Sequence, residues 1–106
     1  MIQLSLGEIA KAIDGRLVSP DAQALDDVLV TGSVETDSRL ISKGSLFFAR
    51  PGEVTDGHLF VKSARELGAV AAVVDHTVDS AIAQIVVDDV TLALGKLAEY
   101  VLARIR

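Results

Sequence analysis

Two short runs of uninterrupted apolar residues, Leu46-Phe47-Phe48-Ala49 and Ala69 to Val74, constrain this 106-residue chain more than anything else in it. A run that is apolar at every position has no solvated face, so each reads as a strand covered on both sides, as in parallel sheets. Between them, the segment from His58 places Phe60, Ala64 and Leu67 at helical spacing, with Lys62, Arg65 and Glu66 turned away and Gly68 as a C-terminal stop. Strand, helix and strand within about 30 residues predict a right-handed crossover and parallel pairing. Phe60 is then the expected anchor of the helix on the sheet. Ile85-Val86-Val87 reads as a third strand of the same sheet.

The flanks add elements of both kinds. Ser5-Leu6-Gly7-Glu8 is a capping box, followed by apolar Ile9, Ala10 and Ile13 and ended by Gly15, which predicts a short first helix. Arg16 to Ser19 reads as a brief strand and Pro20 to Asp27 as a polar connection. Val28, Val30 and Val34 form one strand-like stretch, bent or bulged at Gly32, that ends at Asp37-Ser38-Arg39; Lys43-Gly44-Ser45 makes a turn. From Val90 onward, Leu94, Leu97, Ala98, Val101, Leu102 and Ile105 form an apolar stripe at helical spacing. Arg106 follows with no cap or turn residue, so the chain reads as cut, not finished. The expected fold is α/β, a small mostly parallel sheet with flanking helices, in a single domain over residues 1–106.

Several classes of function fall away. Net charge is −5 and basic residues are scattered singly, so a phosphate backbone has no patch to hold; three phenylalanines and one tyrosine offer little for stacking bases. Neither a nucleic acid nor a membrane is an expected partner, since the longest apolar run is far short of the ~20 residues a span requires. With no cysteine there are no disulfides or thiolate metal sites, which fits a reducing, cytoplasmic setting. GxxxxGK[ST], GxGxxG and HExxH are all absent, so no catalytic residue is assigned. No metal site is assigned either: His58 and His76 lie on different elements. Asp26-Asp27 and Asp88-Asp89 read as solvated element ends.

Two loops remain, Thr36-Asp37-Ser38-Arg39 and Gly52-Glu53-Val54-Thr55-Asp56-Gly57-His58, each after an expected strand and each dense in hydroxyls, glycine and charge. Ligands of parallel sheets bind outside the carboxyl ends of the strands, where helix-start N–H groups and hydroxyls can serve a nucleotide. The same residues also make ordinary turns: Asp37 and Ser38 an Asx-type turn, Asp56 a helix cap, Gly57 a relaxed bend. Spacing alone favours the turns.

Resemblance shifts that balance. LSLGEIAKAIDGRLV, VETDSRLISKGSLFFA and RPGEVTDGHLFVKSARELGAVAAVV stand in the order and spacing of the Mur ligases, ATP-dependent amide-forming enzymes of peptidoglycan precursor synthesis, and the chain resembles their N-terminal domain almost end to end. The opening LSLGEIAKAIDG is more similar to the MurF type, which adds D-alanyl-D-alanine to UDP-N-acetylmuramoyl-tripeptide, than to the MurE type, which shares the DSR and DGH motifs. The resemblance implies that this domain holds the UDP part of the substrate. Thr36 and Ser38 then lie against the uridine part, and Glu53, Val54 and Thr55 in the loop that closes over uracil. Asp37, Arg39, Asp56 and Gly57 position those loops. It further implies no cofactor in this chain, with ATP and magnesium held elsewhere in a monomeric parent enzyme, and central and C-terminal domains of the same polypeptide as partners. Lys43 and Arg50 depart from the pattern, standing where relatives often carry proline and an apolar residue. Two alternatives remain open, a MurE-type substrate domain and a free-standing acidic α/β interaction module.

Overall fold

A computed structural model describes residues 3–19, 25–50 and 60–104. In chain order it contains β1 (Leu4–Ser5), α1 (Leu6–Ala12), β2 (Arg16–Val18), β3 (Leu29–Val30), β4 (Val34–Glu35), a 3-10 turn (Ser38–Leu40), β5 (Leu46–Phe48), α2 (Val61–Glu66), β6 (Ala71–Val74), β7 (Ala83–Val86) and α3 (Val90–Arg104). The main sheet has the order β2-β7-β6-β5-β4. β4, β5, β6 and β7 run parallel, and β2 closes one side antiparallel, with Arg16 opposite Val86. β1 and β3 form a separate antiparallel ribbon.

The apolar runs are explained by this placement. Successive side chains of a strand point to opposite faces, and both faces of this sheet are covered. Leu46, Phe48, Ala71, Val73 and Ile85 pack with Leu6, Ile9 and Ile13 of the α1 region and with Val90 and Leu97 of α3. Phe47, Ala72 and Val74 pack on the other side with Ile41, Val61, Ala64 and Ile82. Both sides of the three central strands, β5, β6 and β7, are packed against apolar side chains, and Gln84 is the one polar residue among them. Gln84 is buried, and its amide is spent on Val78, accepting from the backbone N–H and donating to the carbonyl, each at 2.9 Å.

The caps follow the sequence with one change. Ser5 Oγ accepts from the Glu8 N–H at 3.1 Å, as a capping serine should. The Glu8 carboxylate is taken up by α3: the Tyr100 hydroxyl donates to it, and Arg104 lies 3.0 Å away. That hydrogen bond pushes the Tyr100 phenol up from its ordinary value. Asp89 Oδ1 caps α3 by accepting from the Leu92 N–H at 2.9 Å, and Asp26 and Asp27 are exposed in a turn, in line with reading both acidic pairs as element ends.

Two expectations are corrected. Phe60 does not anchor the crossover helix; it is 40% exposed and precedes the first turn of α2, while Val61 and Ala64 are buried and Leu67 is half exposed. Phe60/Ala64 and Val61/Ala64 are both helical spacings, and α2 is only six residues long, so periodicity could not decide between adjacent candidates. Gly68 does stop the helix: its φ of +109° is open to glycine, and a Cβ there would come 2.8 Å from Lys43 Cα. The second correction concerns Val28 to Val34, which is two strands in different sheets. The Thr31 and Gly32 N–H groups both donate to the Gly44 carbonyl, at 3.1 and 2.9 Å, and turn the chain from one sheet to the other. Gly32 permits the close approach, since a Cβ would lie 2.8 Å from Ser45 N.

Candidate functional site

All four parallel strands end at one edge of the sheet, and the loops that leave them form the candidate site. β4 delivers Thr36 to Arg39. Asp37 Oδ1 accepts from the Arg39 N–H at 2.9 Å, which makes the Asx-type turn and starts the 3-10 turn. The Arg39 guanidinium folds back on the same carboxylate, with Nη2 2.7 Å from Oδ2 and Nε 3.0 Å from Oδ1. This pairing holds the Asp37 carboxyl down to about 2, the side-chain hydrogen bonds from Arg39 being the first cause and its backbone N–H the second. Arg39 is committed to its neighbour and is highly exposed, so it braces the turn from outside.

Ser38 is buried, whereas Thr36 is exposed, so the two hydroxyls expected to face one ligand differ in their access to it. The Ser38 carbonyl and the Asp37 carbonyl accept from Ile41 and Leu40, which closes the turn, and α2 packs against it. Beneath the strands' opposite ends, Ser45 is fully buried and its Oγ accepts from the Ser42 N–H at 3.2 Å, with the Ser33 and Ser42 hydroxyls both at 3.3 Å. That serine cluster ties the loop before β5 to the start of β4 and so fixes the relative height of the two strands at the site edge.

β5 is the neighbour of β4, and Arg50 leaves its end exposed beside the Thr36–Arg39 turn. Glu53, Val54, Thr55, Asp56 and Gly57, together with His58, lie outside the described residues. β6 ends at the same edge with Asp75 and His76, whose Nδ1 and Oδ1 are 2.5 Å apart. Arg50, Asp75 and His76 were not assigned to the edge from sequence. Their signal was position, since each closely follows a buried apolar run. Among the described residues no group of three or more histidines and carboxylates stands together as a metal site. No described helix is long and apolar enough to cross a membrane.

The arrangement offers hydroxyls, a fixed turn and exposed charge at the end of parallel strands, with the Asp75–His76 pair at the same edge. It can bind and orient a polar ligand. Comparison with known proteins is consistent with that assignment. The family model described as the Mur ligase family, catalytic domain, matches residues 31–101. The UDP-N-acetylmuramoyl-tripeptide--D-alanyl-D-alanine ligase of Escherichia coli K12 is 34% identical over 101 residues, 95% of this chain and 21% of that protein. A UDP-N-acetylmuramoyl-L-alanyl-D-glutamate--2,6-diaminopimelate ligase of Listeria monocytogenes EGD-e is 40% identical over 76 residues, 72% of this chain and 16% of that protein. Among solved structures, a crystal structure of MurF from Acinetobacter baumannii superposes with a TM-score of 0.82 at 31% identity, covering 94% of this chain and 21% of that one. The chain thus spans about a fifth of the length of the MurF proteins it matches almost end to end. On this evidence the chain belongs to the Mur ligase family, and over nearly its whole length it matches the MurF type.

Proposed function

We propose that this chain is the N-terminal domain of a MurF-type ligase and that it holds the UDP part of UDP-N-acetylmuramoyl-tripeptide while D-alanyl-D-alanine is joined to it. One observation carries the reading: the Thr36–Arg39 turn, braced by the Asp37–Arg39 pair, stands at the carboxyl edge of a parallel sheet in a chain that aligns over 95% of its length with a MurF enzyme. Thr36 and Ser38 contact the uridine part, Asp37 and Arg39 hold the turn, Glu53, Val54 and Thr55 close over uracil, and Asp56 and Gly57 shape that loop.

The sequence contains no GxxxxGK[ST] phosphate loop, and we assign ATP and magnesium to the remaining domains of the parent. Activation of the carboxylate and attack by the amine take place there. What this domain contributes is position. Gripping the far end of a long substrate fixes where its carboxylate lies, so remote binding free energy is converted into rate. The diaminopimelate ligase relative keeps a MurE-type parent as the second reading.

The test compares Ser38→Ala and Arg39→Ala in the parent enzyme. Loss of a hydrogen bond from Ser38 weakens the UDP-substrate by roughly 0.5 to 2 kcal/mol. Arg39→Ala lowers affinity and thermal midpoint together, because the turn loses its brace. Unchanged affinity in Ser38→Ala removes that side chain from the site.

A further inference from the structure

The geometry points to a docking surface on the outer side of α3, covered in the parent ligase by polypeptide that follows residue 106. The inference rests on the reading above that this chain is one domain of a longer enzyme. At 100° per residue, no charged side chain interrupts the side of α3 that runs from Leu97 through Val101, Leu94 and Ala98 to Leu102. The domain uses half of that arc. Leu97 is buried against the sheet, while Ala98 is exposed and Leu102 is 49% exposed. Together with Val34, at the start of the outermost parallel strand, these residues line a groove of about 350 Å³.

The lining decides the kind of occupant. A small-molecule pocket carries a few polar groups that fix its ligand's orientation, and none of the side chains of Val34, Leu94, Leu97, Ala98, Val101 and Leu102 can supply one. The groove reaches β4 at Val34, and none of Thr36 to Arg39 is among the residues that line it. It fits apolar protein side chains. Six residues form a patch well short of the ~1,200 to 2,000 Å² that a stable free partner buries, a second copy of this chain included. A segment on the same polypeptide needs far less, because linkage holds it at an effective concentration of about millimolar. The matched Escherichia coli enzyme is far longer than the stretch it shares with this chain: the match takes in 95% of this chain and 21% of that enzyme.

Leu102→Glu tests the surface, with Leu92→Glu as control, since Leu92 is 59% exposed but lines a different groove of α3, beside Thr91, Gly95, Lys96 and Glu99. Thermal midpoints and hydrogen exchange of residues 94–102 are measured on the 106-residue chain and on the complete product of its reading frame. The expected result is stronger protection of 94–102 in the complete protein, a midpoint lowered by several degrees there by Leu102→Glu, no shift in the 106-residue chain, and no shift from Leu92→Glu in either. Equal exchange in both proteins overturns the proposal, as does an equal midpoint loss in both, a reading frame that ends at Arg106, or a dimer of the 106-residue chain that Leu102→Glu dissociates. UDP titration of the same variants keeps the two readings apart: lost UDP binding with the exchange result intact counts against the site and not against the surface.

Discussion

Phe48→Ala and Phe60→Ala bracket the loop between β5 and α2, and their costs differ because their surroundings do. Phe48 is fully buried on an interior strand, directly opposite Val73, in the layer shared with α1 and α3. Removing its ring forfeits transfer free energy and leaves a cavity that a sheet flanked by helices cannot collapse into, for a cost of about 3 to 5 kcal/mol. On a domain of about 5 to 15 kcal/mol that is a large fraction of the total. At about 4 °C per kcal/mol for a domain near this size, the thermal midpoint falls by about 12 to 20 °C. Phe60 is 40% exposed, so its truncation loses only part of a side chain's burial, about 1 to 2 kcal/mol, with no enclosed cavity. Urea unfolding of both variants with an unchanged m-value reads the difference directly. Equal losses, or a larger loss for Phe60→Ala, would refute the placement of both rings.

Three further outcomes follow from the same contacts. Gln84→Leu strands the Val78 N–H and carbonyl and costs about 1 to 3 kcal/mol, read by urea midpoint; a neutral result would mean water replaces the amide. Gly68→Ala forces a Cβ toward Lys43 at a φ of +109° and costs about 1 to 3 kcal/mol, whereas a stabilised variant would show the turn to be relaxed. Asp37 has a folded value near 2 against an ordinary 3.8, so its contribution to the turn is full above about pH 4 and is lost as pH falls toward 2. A carboxyl ¹³C titration with a midpoint at the ordinary value would show that the Arg39 pair is not formed in solution.

The sequence made the sheet legible where chemistry left one choice. Leu46 to Phe48 and Ala71 to Val74 had to be covered on both faces, and they are. The Ser5 cap and the Gly68 stop were readable because each solves a local backbone problem. Phase within α2 was not readable, since residues 60 and 61 compete for the same seam and only tertiary packing separates them. The break at Gly32 was visible as a kink but not as a change of sheet, because the carbonyl that turns the chain belongs to Gly44, twelve residues on. At the site, the Asp37 turn was legible as turn chemistry. Spacing could not say whether the turn also meets a ligand, and that expectation rests on the resemblance of TDSR and its neighbours to a family. Five of the nine expected site residues, Glu53 to Gly57, lie outside the described residues.

The proposed function requires that the carboxyl edge of this sheet hold a uridine diphosphate. Titrating the 106-residue chain with UDP while following backbone amide shifts tests it most directly. Saturable shifts are expected at Thr36 to Leu40 and at the neighbouring strand ends, Arg50 and Asp75 to His76, with the far end of the sheet unmoved. Absence of any shift at millimolar UDP, or shifts centred on α1 and Asp26-Asp27, would contradict it.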